Sequence, residues 1–238
     1  MKKVIYLKIF AFFLFSQSPS LSQTTLAAGD IAIVAYAMDN PDELSFVCLK
    51  AIESSTVIYF TDNGWKSDNT WRPNEGVHTW TASQNYSTGE VVYVTTSGPA
   101  LSSSGDQIIA FQGSGTTDNS ATMIFGLQCD GSAWDSDATT ASESAIPNGL
   151  TNGTNAIAIP EADNGYYNGT TSGTTAALLS AICNTSNWTT NNSRSSYDPS
   201  DDGPSSFSIT VSIAGTAGFR LMSTPVSNGT YTDLLAEL

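Results

Sequence analysis

Histidine is almost missing from this 238-residue chain: His78 is the only one. Any Ser-His-Asp or Cys-His machinery would have to be built on it, and no GxSxG nucleophile elbow accompanies it. His78 lies in the alternating run Gly76-Val-His-Thr-Trp80 and reads as a structural or surface strand residue. Cysteine is also scarce, with three residues and no CxxC pair, so a closed tetrahedral zinc site is excluded. Positive charge is the third shortage. Eight Lys and Arg face 22 Asp and Glu, a net charge of −14. Such a field repels phosphate backbones and anionic headgroups, which argues against nucleic acid as a partner and makes divalent cations the natural small ones.

Long apolar runs are missing too. The N-terminal one, Ile9–Phe15, follows Lys2, Lys3 and Lys8 and precedes Gln17-Ser-Pro19. It is well short of the roughly 20 residues needed to cross a bilayer and has the form of a signal-peptide h-region, so no transmembrane span is expected in the mature chain. Ser20 and Ser22 place the cleavage after Ser22, and residues 1–22 are expected to be a signal peptide. Cleavage removes three basic residues and no acid, so five basic residues would remain against 22 acidic ones, a net charge of −17. The expected location is secreted or at the cell surface. In that oxidising compartment two cysteines tend to pair. Cys48, inside Phe46-Val-Cys-Leu49, reads as a core residue, which leaves Cys129–Cys183 as the expected disulfide.

What is present is a series of short β-branched and aromatic runs punctuated by Gly, Asn, Asp and Ser. This predicts an all-β fold, an antiparallel β-sandwich with long loops. Candidate strands are 30–36, 44–51, 56–61, 76–81, 90–95, 107–112, 121–127, 154–159, 206–213 and 218–223. Asp62-Asn-Gly64, Ser104-Gly-Asp106 and Asn148-Gly149 supply the turns. One stretch, 174–183, spaces Ala177, Leu178, Ala181 and Ile182 helically without internal Gly or Pro, and predicts a single short helix against one end of the sandwich. Residues 184–206 read as a long loop. The sandwich module is placed at 23–215, with 216–238 as the start of a further unit or a C-terminal extension.

Candidate ligand contacts lie in the loops. Trp65 and Trp71, with Trp134, Tyr166 and Tyr167, could present aromatic faces to sugar rings, or the two tryptophans could fold back and cap the core. Joint exposure of Trp65 and Trp71 separates the two. Calcium is the candidate cofactor. Oxygen-rich runs include Asp39–Glu43, Asp130, Asp135 and Asp137, and Asp198, Asp201 and Asp202, but none has EF-hand spacing and each also reads as a solvated turn. Seven N-x-[ST] sequons follow from the Asn/Ser/Thr-rich composition.

Several runs resemble a module of bacterial secreted and cell-surface proteins common in Bacteroidetes: Gly29–Val34, Asp42–Phe46, Thr56-Val-Ile-Tyr-Phe-Thr-Asp-Asn-Gly-Trp65, Leu101-Ser-Ser-Ser-Gly-Asp-Gln-Ile-Ile109 and Asn152–Ala158. The likeness spans roughly residues 29–190. The strand and turn order is more distantly similar to the lamin-tail domain, an immunoglobulin-like β-sandwich. The resemblance implies an accessory or adhesive module and carries no catalytic residue across. The expected function is therefore a non-catalytic extracellular binding or adhesive module, with a glycan, a protein or calcium as partner. The alternative is a carbohydrate-active hydrolase with a carboxylate pair, which requires two facing acids in a deep cleft, at least one with a raised pKa.

Overall fold

The computed structural model describes residues 23–114 and 118–210. The expected signal peptide, the 218–223 strand, residues 211–213 of the preceding one and the C-terminal unit lie outside them. The described chain forms β1 (Ile31–Ala37), β2 (Glu43–Cys48), β3 (Val57–Thr61), β4 (Val77–Thr81), β5 (Val91–Thr95), β6 (Gln107–Gln112), β7 (Thr122–Gln128), β8 (Ala156–Ala158), β9 (Asn164–Tyr167) and β10 (Ser172–Gly173). Then come α1 (Thr175–Ile182), β11 (Trp188–Asn191) and β12 (Ser208–Ile209). A first sheet has the order β11-β9-β1-β2-β5 and is antiparallel throughout. The second has the order β4-β3-β6-β7-β8 and is antiparallel except for the β7–β8 pair. A short parallel pair, β10–β12, completes an all-β sandwich with one short helix. This is the expected all-β sandwich, antiparallel in every pair but β7–β8 and β10–β12.

Alternation explains how the layers form. Ile58 and Phe60 of β3 and Ile108 and Ala110 of β6 face the main core, where Phe46 of β2 meets Phe60 at 5.5 Å and Trp80 edge-on at 5.2 Å. Their sequence neighbours Tyr59, Ile109 and Phe111 point to the opposite face of the second sheet. There they pack with Trp65, Trp71 and Met123 in a second apolar cluster. The second sheet is thus apolar on both faces, and the loops after β3 and β7 cover its outer one. Removing this much apolar surface from water is the main stabilising term.

The helix is placed as predicted. Thr174 caps it by accepting from Ala177 N–H, and Leu178 and Ile182 enter the main core. Beyond it, the expected long loop at 184–206 contains β11, which pairs with β9, a strand that lacked an alternating signal. The chain then crosses the outer face of the first sheet. Arg194 pairs with the Glu43 carboxylate, Ser45 Oγ donates to Pro199 O at 2.8 Å, and Tyr197 stacks on Tyr166 with ring centroids 5.2 Å apart. Phe207 then enters the main core, and its N–H donates to Gly89 O at 2.8 Å.

All three cysteines are free and buried, so the expected Cys129–Cys183 disulfide is not formed. Cys129 turns its Sγ to Asp106 O at 3.2 Å and Met38 Sδ at 3.7 Å, whereas Cys183 caps the C-terminus of α1. Burial pushes the Cys129 thiol well above its ordinary range, and the Cys48 and Cys183 thiols up to about 12. Cys48 is a core residue, in line with its apolar setting.

Candidate functional site: a carboxylate and amide network at one end of the sandwich

The strand registers send the connections after β1, β3, β5, β7 and β8 to one end of the sandwich. More than half of the 22 acidic residues lie on those connections. The two basic side chains among them are committed, Lys66 to Asp68 at 3.5 Å and Arg72 to Glu75.

Beneath this surface three aspartates from three separate connections take three consecutive main-chain N–H groups. Ala100 N–H donates to Asp62 Oδ2 at 2.8 Å, Leu101 N–H to Asp42 Oδ2 at 2.9 Å, and Ser102 N–H to Asp106 Oδ2 at 2.9 Å. Asp106 also accepts from Gln107 N–H at 2.8 Å. Asp42 lies on the β1–β2 connection of the first sheet and Asp62 on the β3–β4 connection of the second, so these two bolt the β5–β6 connection across both layers, while Asp106 ties that connection to itself. Burial pushes the Asp106 carboxyl up to about 8. The two N–H donors oppose this, and the charges of Asp62 and Glu75 add to it. Burial likewise raises Asp62 and Asp42. Asp62 and Asp106 are 1% and 4% exposed, and both oxygens of Asp106 are occupied by main-chain donors. They are sealed under the 100–102 segment and do not face each other across a deep cleft, as a glycosidase pair must.

The runs Asp62-Asn-Gly-Trp65 and Gly105-Asp-Gln107, both inside the stretches that carry the resemblance, meet here. Asn63 Nδ2 donates to Thr61 Oγ1 at 2.7 Å and Gly76 O at 3.2 Å, and its Oδ1 accepts from Glu75 N–H at 3.2 Å. Gln107 Nε2 donates to Asp62 O and, at 2.9 Å, to Ala141 O. A Cβ on Gly64 would collide with the Glu143 carbonyl, and Gly105 has a φ of +98° with Asp130 Cα beside it. These distinctive residues therefore hold the loops on the sheet end. On the adjoining strand Gln128 Nε2 donates to Asp135 Oδ2 and Ser142 O, both at 3.2 Å. Gln128 carried no sequence signal, since a glutamine ending an apolar strand looks like a solvated terminus.

The sequence-predicted ligand residues fall elsewhere. Trp65 and Trp71 are 2% and 5% exposed and meet edge-on with centroids 5.0 Å apart. They cap the outer cluster, the second of the two readings the sequence offered, and present no sugar platform. Trp134 lies partly buried over Gly126 and Leu150, Tyr167 is in the main core, and Tyr166 is covered on one face by Tyr197. No common aromatic surface results.

The aspartates named as calcium ligands are occupied by their own turns. Asp137 Oδ1 accepts from Ser67 and Ala138 N–H, both at 2.9 Å, which lowers its pKa. Asp198 Oδ1 accepts from the N–H and Oγ–H of Ser200. Asp202 Oδ2 accepts from Asp198 N–H. Asp201 sits in that same exposed turn, and Asp130 lies against Gly105. Among the described residues, no group of three or more His, Cys, Asp or Glu side chains is placed to hold a metal ion. Neither trio therefore forms the expected cluster. His78, on the edge strand β4, accepts at Nδ1 from Ser97 N–H at 3.0 Å, and burial lowers its pKa. No helix among the described residues is long and apolar enough to cross a membrane.

No family model, no curated protein and no solved structure matches the chain. One further surface feature bears on ligand binding. A depression of about 430 Å³ lies between β8 and α1, lined by Ser132, Asn152, Ser180, Cys183, Asn184 and Thr185. Those six contribute hydroxyls, carboxamides and a thiol, and no charge.

Proposed function

We propose that the chain is a non-catalytic extracellular or cell-surface binding module that engages a neutral glycan through the depression beside α1. The observation that carries this reading is the chemistry of that depression, where Ser, Thr and Asn side chains stand beside Cys183, Ile157 and Ala158 with no charge among them, in a protein otherwise dominated by negative charge. Sugar hydroxyls both donate and accept, and Ser, Thr and Asn side chains offer both functions without an ionic preference. Without an aromatic stacking surface each contact is weak, so useful adhesion would come from several copies acting together. The resemblance to modules of bacterial surface proteins supports the same location and role.

A screen of neutral oligosaccharides against the purified chain, with Ser180→Trp as a variant that fills the depression, tests the reading. Binding to the native chain that the variant abolishes is the expected result. Shortened products instead of bound ligand would favour the hydrolase, and binding unaffected by Ser180→Trp would move the contact elsewhere.

A further inference from the structure

Six Asn-Gly pairs occur in the sequence, and five of them, beginning at Asn63, Asn148, Asn152, Asn164 and Asn168, lie among the described residues. An asparagine before glycine is able to modify itself, because a main-chain nitrogen with no Cβ beside it is open to the preceding side chain. The reaction needs an amide free to turn back on the chain, a glycine N–H not committed to a hydrogen bond, and room for a five-membered ring. The fold grants these to the five pairs unequally.

Asn63 is 1% exposed, and its amide is held by Thr61 Oγ1 at 2.7 Å and by Gly76 O and Glu75 N–H, both at 3.2 Å. Asn164, in β9 and 0% exposed, donates to Asp39 Oδ2 and Asn191 O, both at 3.0 Å. Asn168 is exposed, but its Nδ2 donates to Thr189 Oγ1 at 2.6 Å, and a Cβ on Gly169 would fall 2.6 Å from the Tyr167 hydroxyl. Asn152 is exposed, whereas Gly153 N–H is committed to Ala156 O at 2.9 Å. Asn148 is the exception. Neither its side chain nor Gly149 N–H makes a hydrogen bond to another described residue, and both residues are exposed. The turn is closed around them by Leu150 N–H, which donates to Pro147 O at 3.0 Å. Gly149 has a φ of +87° and open space where a Cβ would stand.

We propose that Asn148 is a self-modifying site, converted through a cyclic imide with Gly149 to aspartate and isoaspartate. Gly149 N gives its proton to solvent and attacks Asn148 Cγ. The new C–N bond forms, the Cγ–Nδ2 bond breaks, and ammonia leaves with a proton from water. A second water then opens either carbonyl of the imide, which leaves aspartate or isoaspartate, and no oxidation or reduction is involved. The product carries a carboxylate where a neutral amide stood. Isoaspartate also passes the main chain through its Cβ, which lengthens by one carbon the turn that seats Leu150, 7% exposed, in the outer cluster. The site depends on neither the glycan reading nor export.

The test incubates the full chain at mildly alkaline pH, folded and in urea, and follows each of the five pairs by peptide mapping that separates asparagine, aspartate and isoaspartate. In the folded chain Asn148 should convert first, roughly fivefold or more ahead of Asn152, the factor that breaking one main-chain hydrogen bond costs. Asn63 and Asn164 should stay intact. In urea the five rates should converge, since every pair is then equally free. Asn148→Gln, whose longer side chain disfavours ring closure, should remove the first acidic species that the native chain forms on ion exchange. Asn152 or Asn168 keeping pace with Asn148 in the folded chain overturns the proposal. So does an equal lead of Asn148 in urea, which places the selectivity in the sequence and not in the fold, or an unchanged acidic species in Asn148→Gln.

Discussion

Asp106 and Asp118 are the same side chain with opposite proton affinities, and each has its oxygens occupied by hydrogen bonds. Asp118, at the exposed β6–β7 turn, accepts from the N–H and Oγ–H of both Ser114 and Ser120, and those four donors hold its carboxyl far below the usual range. Asp106 accepts two N–H bonds of comparable length, yet titrates near 8. Donors alone therefore do not decide the shift. At Asp118 water still solvates the charge and the donors add to that solvation. At Asp106 burial has removed the water, and two N–H groups do not replace it against the nearby charges of Asp62 and Glu75. Both aspartates bond only within their own turn, Asp118 in water and Asp106 beneath the packed end of the sandwich.

Replacing Asp106 by Ala tests this contrast most severely. It leaves the buried N–H groups of Ser102 and Gln107 without an acceptor and should cost about 3 kcal/mol in urea unfolding. A loss under about 1 kcal/mol, the net worth of an ordinary hydrogen bond, would mean that the β5–β6 connection is held by other contacts.

The pH profile gives the next largest effect. The Asp106 pKa rises from 3.8 to about 8 on folding, so between those values the unfolded chain binds fewer protons. Its contribution to stability is complete below pH 3.8 and is lost as pH rises toward 8. Asp62 and Asp42, also raised, act in the same direction. Thermal unfolding between pH 4 and pH 8 should show stability declining, and Asp106→Asn should flatten that decline; a slope identical in the variant would contradict the assignment.

Asp118→Ala is the smallest. Its lowered pKa adds stability only above the unfolded value and loses it in strong acid, on a fully solvated turn. Near neutral pH the urea midpoint should hardly move, and an effect as large as that of Asp106→Ala would erase the distinction.

The strands legible in the sequence were those with an inward and an outward alternation of their own. Val57-Ile-Tyr-Phe-Thr61 and Gln107-Ile-Ile-Ala-Phe-Gln112 place one set of side chains in the main core and the other in the outer cluster. The helix was legible because Leu178 and Ile182 share a face and Thr174 caps it. Asn164-Gly-Tyr-Tyr167 and Trp188-Thr-Thr-Asn191 were missed, since each is a strand only because the other, with β1, supplies its hydrogen bonds. The same limit applied to side chains. Trp65 and Trp71 looked like loop aromatics because composition cannot show that the loop folds back over Phe111, whose ring lies 5.2 Å from that of Trp71.

The sequence by itself determined the all-β class, the position of the one helix, and the excess of negative charge. Each follows from residue type and spacing along the chain. The tertiary structure alone decided which polar groups lost their water. It drew Asp62, Asp106, Gln107 and Gln128 under loops remote in sequence, and left two amide oxygens there unpartnered. It also took the cysteines out of pairing range and the tryptophans out of solvent. Local pattern fixes which face of a strand is apolar, but only the packing of one segment on another decides what that face touches.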